Sequence, residues 1–154
     1  MQNEYKMILS EVFRDILMRF SFMFGEECAK NELPLNNLDY LHARICFNGH
    51  KHGCIGILAP VELCTEMAAN VLGIDIEDDD CIMDSLDTFE ELTNVVCGQF
   101  LTGAFGDNPV FNLSPPLVSK SDRAEWLEVA DKDNSLAFMI EDEPTLIYLE
   151  VSGR

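Results

Sequence analysis

The sequence predicts an α+β fold: a β-sheet with antiparallel or mixed pairing and long helices packed on it. Two observations carry that reading. Apolar residues recur at helical spacing over three segments, about 3–24, 61–72 and 84–105. Between and after them, short segments alternate apolar and polar side chains and are separated by turn residues, as half-buried strands are.

From about Asn3 to Phe24, Ile8, Val12, Ile16, Phe20 and Met23 share one helical face, and Gly25 is expected to stop the helix. Leu33-Pro34-Leu35-Asn36-Asn37 is expected as a loop. Asp39 to Phe47 alternates Leu41, Ala43, Ile45 and Phe47 against His42, Arg44 and Cys46. Asn48-Gly49 then turns the chain into a returning strand, Gly53 to Leu58. Pro60 opens a second helix, whose apolar face is Val61, Cys64, Met67, Ala68 and Val71 and whose end is Gly73. An acidic loop over 75–80 leads to a third helix, about Asp84 to Phe105. Beyond Gly106-Asp107-Asn108-Pro109 the chain is expected to be extended from Val110 to Val118, because the prolines of Ser114-Pro115-Pro116 hold their predecessors out of helical geometry. Trp126 to Ala130 is expected as a strand. Leu136 to Glu141 and Thr145 to Val151 are expected as a closing hairpin around Asp142-Glu143-Pro144.

At 154 residues the chain is expected to be a single domain, 1–154, that buries about two-thirds of its unfolded surface. Its net charge of -18 comes from 28 acidic and 10 basic residues. A general nucleic-acid or anionic-membrane binder needs clustered Lys and Arg, so that charge excludes both partners. Between Lys51 and Lys120 there is neither Lys nor Arg, while acidic residues run through the stretch. A partner docking there should bring positive charge or a metal ion.

The six cysteines, 28, 46, 54, 64, 81 and 97, show no Cys-x-x-Cys and no tight metal spacing. Most sit among apolar neighbours and are expected as buried free thiols, which points to a reducing, cytoplasmic location. The apolar stretch Ile16 to Phe24 is short, is broken by Arg19 and follows Glu4, Glu11 and Asp15, unlike a signal peptide. His50-x-His52 falls in a turn without a third ligand nearby, and Asp78-Asp79-Asp80 lacks the spacing and glycine of a calcium loop. No metal site is expected, and no phosphate loop, dinucleotide fingerprint or Ser/His/Asp order occurs.

The third helix is the most informative segment. Leu86, Phe89, Leu92, Val96, Phe100 and Ala104 form its apolar stripe, and Asp87, Glu91, Asn94, Gly98 and Thr102 fall roughly opposite. Glu91 and Asn94, three apart, are neighbours on the outer face and can address one reacting group on another molecule. Gly98, one turn on, has no side chain to keep a partner away, although glycine mid-helix costs about 1 kcal/mol relative to alanine.

Helix, hairpin, helix, then Glu91-Leu92-Thr93-Asn94-Val95-Val96-Cys97-Gly98 and Ser114-Pro115-Pro116-Leu117-Val118 together resemble the CheX/CheC chemotaxis phosphatase family, CheX-like members most closely. That family is recognised by Glu-x-x-Asn on an exposed helix, a glycine four residues after the asparagine and a following proline-containing segment. The resemblance implies a CheC-like fold and hydrolysis of the phospho-aspartate of a CheY-type response regulator. It implies that Asn94 holds the attacking water and Glu91 contacts the regulator's lysine, with Asp87, Gly98 and Thr102 on the docking face. It implies no cofactor of the protein's own, since the regulator supplies Mg2+, and a homodimer joined through sheet edges. CheC-type members carry a second Glu-x-x-Asn. Here Glu66-Met67-Ala68-Ala69-Asn70 is one residue too long and Glu11-Val12-Phe13-Arg14 lacks the asparagine, so one site per chain is expected. The alternative is a non-catalytic module of the same fold that docks a regulator or a flagellar-switch component.

Overall fold

A computed structural model of the chain describes residues 2–34, 39–76 and 79–152. In order, these form α1 (Gln2–Ser21), β1 (Gly25–Cys28), a short 3-10 turn (Lys30–Glu32), β2 (Tyr40–Asn48), β3 (His52–Pro60), α2 (Val61–Leu72), α3 (Asp79–Phe105), β4 (Asn112–Leu113), β5 (Leu117–Ser121), α4 (Arg123–Ala130), β6 (Ser135–Ile140) and β7 (Glu143–Ser152). The fold is α+β, and every strand pairing among the described residues is antiparallel. The sheet runs β1-β6-β7-β3-β2, and β4 and β5 share the outer edge of β2. Part of the expected loop, 35–37, lies outside the described residues, as does Asp78 of the acidic run; Asp79 and Asp80 already belong to α3.

Alternation along the strands divides the sheet into two faces. Leu41, Ala43, Ile45 and Phe47 of β2, Ile55, Ile57 and Ala59 of β3, and Ile147 and Leu149 of β7 are buried against the helices α1, α2 and α3 in the main core. Phe13 of α1 meets Phe138 of β6 edge-on at 5.0 Å within it. Tyr40, Leu58, Ala137, Leu146 and Tyr148 point the other way, into a smaller core closed by Trp126 and Val129 of α4. The period-2 pattern expected for residues 39–47 is therefore what the structure shows.

Helix ends follow local chemistry in two cases and tertiary contact in a third. Pro60 caps α2, and Gly73, at φ 67°, ends it by donating from its N–H to the Ala69 carbonyl, as expected for a residue free to enter the left-handed region. For α4 the Asp122 carboxylate accepts from the Glu125 N–H at 2.9 Å. That N-cap, with Trp126 and Val129 three apart on the buried side, makes 123–130 a helix and not the strand expected from Trp126 to Ala130. For α1 the stop is Phe22, not Gly25. Phe22 takes φ 60°, its N–H reaches Met18 O, and Met23 N–H reaches Leu17 O. Gly25 instead begins β1, where a Cβ would come within 2.8 Å of Leu17 Cδ1.

Two further expectations are corrected. The closing hairpin turns at Glu141-Asp142, both at positive φ, and Pro144 lies inside β7. Cys46 and Cys54 are not free thiols: they are partners across β2 and β3 and form a disulfide. Symmetric placement about the 49–51 turn brings their Cα atoms to 4.0 Å. Cys64 and Cys97 are free and buried, and Cys28 is free and half-buried.

Candidate functional site

Helix α3 spans 27 residues and packs on α1, α2 and the sheet. Its buried sector holds Phe89, Leu92, Val96, Phe100 and Leu101, with Thr93 and Cys97. The Thr93 hydroxyl donates to the Phe89 carbonyl at 2.8 Å, which satisfies it inside the core. Leu86 departs from the expected stripe and is 44% exposed. It shares its angle about the axis with Ala104 and lies close to that of Thr93, so its exposure comes from its place along the helix.

The opposite side carries the candidate site. Asp87, Glu90, Glu91 and Asn94 form one continuous ridge over two turns, and they line a cleft of about 500 Å³ whose far wall is Leu113, Ser114, Pro115 and Pro116. Asp87 and Glu91 are exposed, and Glu90 and Asn94 are half-buried. Of the five expected site residues the cleft thus unites Asp87, Glu91 and Asn94. Gly98 and Thr102 follow on the same helix face, outside the cleft lining. A Cβ added at Gly98 would meet nothing within 4 Å, so its missing side chain serves no internal packing.

The wall arises from an irregularity at the sheet edge. Leu113 pairs with Phe47 and Leu117 with Arg44, so Ser114, Pro115 and Pro116 face only Ile45 and Cys46. One extra residue makes a bulge, and the prolines have no N–H to give the ladder. Ser114 ties the bulge down: its N–H donates to Cys46 O at 2.8 Å, and its Oγ accepts from Cys46 N at 3.0 Å. Glu90 and Leu113 were not singled out by the sequence. Glu90 was one helix position away, whereas nothing local marks Leu113 as part of a wall built by a distant strand.

Electrostatically the cleft is one-sided. Three carboxylates line it, and no lining residue is cationic. Such a site has nothing of its own to neutralise phosphoryl oxygens; it can hold polar hydrogens, orient water through a carboxamide and attract a cation. His50 does not join it: its ring packs on Phe105 and Phe111, each 5.3 Å away between centroids.

On the other face of the sheet lies a second polar group that the sequence did not announce. Tyr148 Oη is 2.7 Å from His42 Nε2 and accepts from Arg44 at 3.2 Å, and Arg44 also pairs with Glu150 at 2.9 Å. Burial pushes the His42 imidazole below its ordinary value, against the opposing pull of Glu125.

Fold and site together define a helix-covered antiparallel sheet with a polar ridge on the exposed side of one long helix. A family model described as chemotaxis phosphatase CheX matches residues 41–141, and the chain belongs to that family. Solved structures agree on the fold. The chemotaxis protein CheX of Desulfovibrio desulfuricans superimposes with a TM-score of 0.70 at 15% identity, covering 97% of this chain and 99% of that one. CheX in the CheX–CheY–BeF3–Mg2+ complex of Borrelia burgdorferi gives 0.66 at 14% identity, covering 96% and 97%. A CheC-like superfamily protein of Shewanella sp. PV-4 gives 0.64 at 16%, covering 97% of each chain. No protein of curated function matches. Among the described residues no helix is long and apolar enough to cross a membrane.

Proposed function

We propose that this chain, acting as one domain, hydrolyses the phospho-aspartate of a CheY-type response regulator in the cytoplasm. The observation that carries the reading is the ridge Asp87–Glu91–Asn94 facing the Pro115-Pro116 wall across an open cleft, in a chain of the chemotaxis phosphatase family. In this reading Asn94 enters the regulator's site and holds a water in line with phosphorus. The water oxygen forms the new P–O bond, the bond from phosphorus to the aspartyl oxygen breaks, and inorganic phosphate leaves. A carboxamide is too weak a base to take the proton. Its contribution is position, and fixing a nucleophile in line removes several kcal/mol of the barrier.

Glu91 meets the regulator's lysine in the same reading, while Asp87, Gly98 and Thr102 continue the docking face. Cations for the phosphoryl oxygens come from the regulator, its Mg2+ and its lysine, because this cleft supplies none. The Borrelia burgdorferi complex, in which a CheX is solved with CheY, BeF3 and Mg2+, supports that division. A homodimer joined through sheet edges belongs to the same proposal. The test is to charge CheY-type regulators with a small phosphodonor, add this protein and follow phosphate release. Acceleration supports the reading; binding without acceleration replaces it with the docking module.

A further inference from the structure

Cys46 and Cys54 sit on the sheet face turned away from α3, yet Cys46 is bonded to the wall of the candidate cleft. Both its backbone groups point to Ser114: its N–H donates to Ser114 Oγ at 3.0 Å, and its carbonyl accepts from Ser114 N–H at 2.8 Å. With N–H and C=O both directed outward, Cys46 and Cys54 are a non-hydrogen-bonded pair of β2 and β3. Only the disulfide ties them directly. With their Cα atoms 4.0 Å apart, the bond fixes Cys46 against β3 and so holds in place the two backbone atoms that bind Ser114.

The sulfurs are also reachable. Both cysteines are half-buried and line a cleft of about 340 Å³ with His52, Gly53, Glu150 and Val151. Arg44 Nη2 lies 3.3 Å from Cys54 Sγ while pairing with Glu150 at 2.9 Å. A guanidinium at that distance favours Cys54 as the departing thiolate. Of the remaining thiols among the described residues, Cys28 is free and half-buried, whereas Cys64 and Cys97 are buried. Burial pushes the Cys97 thiol up to about 12 and raises that of Cys64 as well.

We propose that Cys46 and Cys54 form a thiol–disulfide exchange site for a dithiol reductant, and that their state is relayed through the Cys46 backbone to Ser114 at the cleft wall. One thiolate of the reductant attacks Cys46 Sγ, the Cys46–Cys54 bond breaks, and Cys54 leaves as thiolate beside Arg44. The second thiol of the reductant resolves the mixed disulfide. Two electrons and two protons reach the protein, and the reductant ends as its own disulfide. The exchange site stands by itself; only the relay's effect on a regulator rests on the proposed function.

The experiment equilibrates the folded, full-length protein in mixtures of reduced and oxidised dithiothreitol, quenches with maleimide and maps the label by peptide mass. Positions 46 and 54 should gain label together as the mixture becomes reducing, while 64 and 97 stay unlabelled until the chain is denatured. A pair that resists label in the reducing mixture until denaturation, or that stays labelled at the oxidising end, overturns the exchange site. Amide hydrogen exchange on the two states tests the relay. The Ser114 amide should exchange about tenfold faster in the reduced protein. An unchanged Ser114 amide overturns the relay. Neither readout involves phosphate release, so a protein inactive on every regulator would leave both results standing.

Discussion

The ring of Tyr148 lies across Gly56, its direct partner on β3, and leaves no room for a Cβ there. That placement lets the phenol reach His42 and Arg44 together. Gly56→Ala should displace the ring and destabilise the fold by about 1–3 kcal/mol, the usual cost of overpacking. Gly98→Ala, with open space at its Cβ, should stabilise it by about 0.5–1 kcal/mol. Urea unfolding of both variants checks the pair of signs. Equal effects would contradict the packing described for each glycine.

Asn94→Ala should slow regulator dephosphorylation by about 100- to 1,000-fold, the typical loss of one preorganised group at a reacting centre. Its stability should change by no more than about 0.5 kcal/mol, because the side chain faces the cleft. Phosphate release and denaturation measured on the same preparation separate the two. A rate within about threefold of the parent removes Asn94 from the chemistry.

Charge at Glu91 should grade the rate. Glu91→Gln loses the attraction to a partner lysine and slows turnover, and Glu91→Lys slows it more by forcing like charges together. Binding to the regulator should weaken as salt rises, because exposed charges are screened over about 8 Å at physiological ionic strength. Stopped-flow association across a salt series would show it. Identical rates for Gln and Lys variants would argue against a lysine contact.

His42 should make stability depend on pH. Its folded-state value is depressed below 6.5, chiefly by burial, while Glu125 and Glu150 pull it up and Arg44 pushes it down. Below pH 6.5 the unfolded chain takes up a proton that the folded chain refuses. The contribution is therefore complete above pH 6.5 and is lost as pH falls toward the folded value. His42→Gln, which can keep a hydrogen bond to Tyr148, should remove that slope. Unfolding free energies of parent and variant at pH 8 and pH 5 give the difference, and parallel curves would contradict it.

What could be read from the chain depended on how local its cause was. Pro60 and Gly73 mark the ends of α2 by their own backbone chemistry, and the Asn48-Gly49 turn and the alternation through Phe47 place β2 and β3. Helix α4 was hidden because its eight residues bury only two side chains, Trp126 and Val129; its readable sign was Asp122, three residues before Glu125. The stop of α1 was illegible. Phe22 is a poor left-handed residue, and Gly25 looked the better stop until packing against Leu17 claimed it. Strand β1 is too short to announce itself. Asp87, Glu91 and Asn94 were legible as one ridge because helical spacing is local, whereas the Leu113–Pro116 wall comes from pairing with a strand some 70 residues earlier. The disulfide was missed because the cysteines were read one by one as free thiols, although a turn at 49–51 sets positions 46 and 54 opposite each other.

The charged groups that line the cleft are all acidic, and this has a consequence for control of the protein. Every lining residue falls within 52–119, a stretch without a single Lys or Arg. Acetylation and the other acylations that act by erasing a lysine's charge therefore have no target there. The field this surface projects stays open to bound cations and ionic strength, so what a partner meets follows the composition of its surroundings.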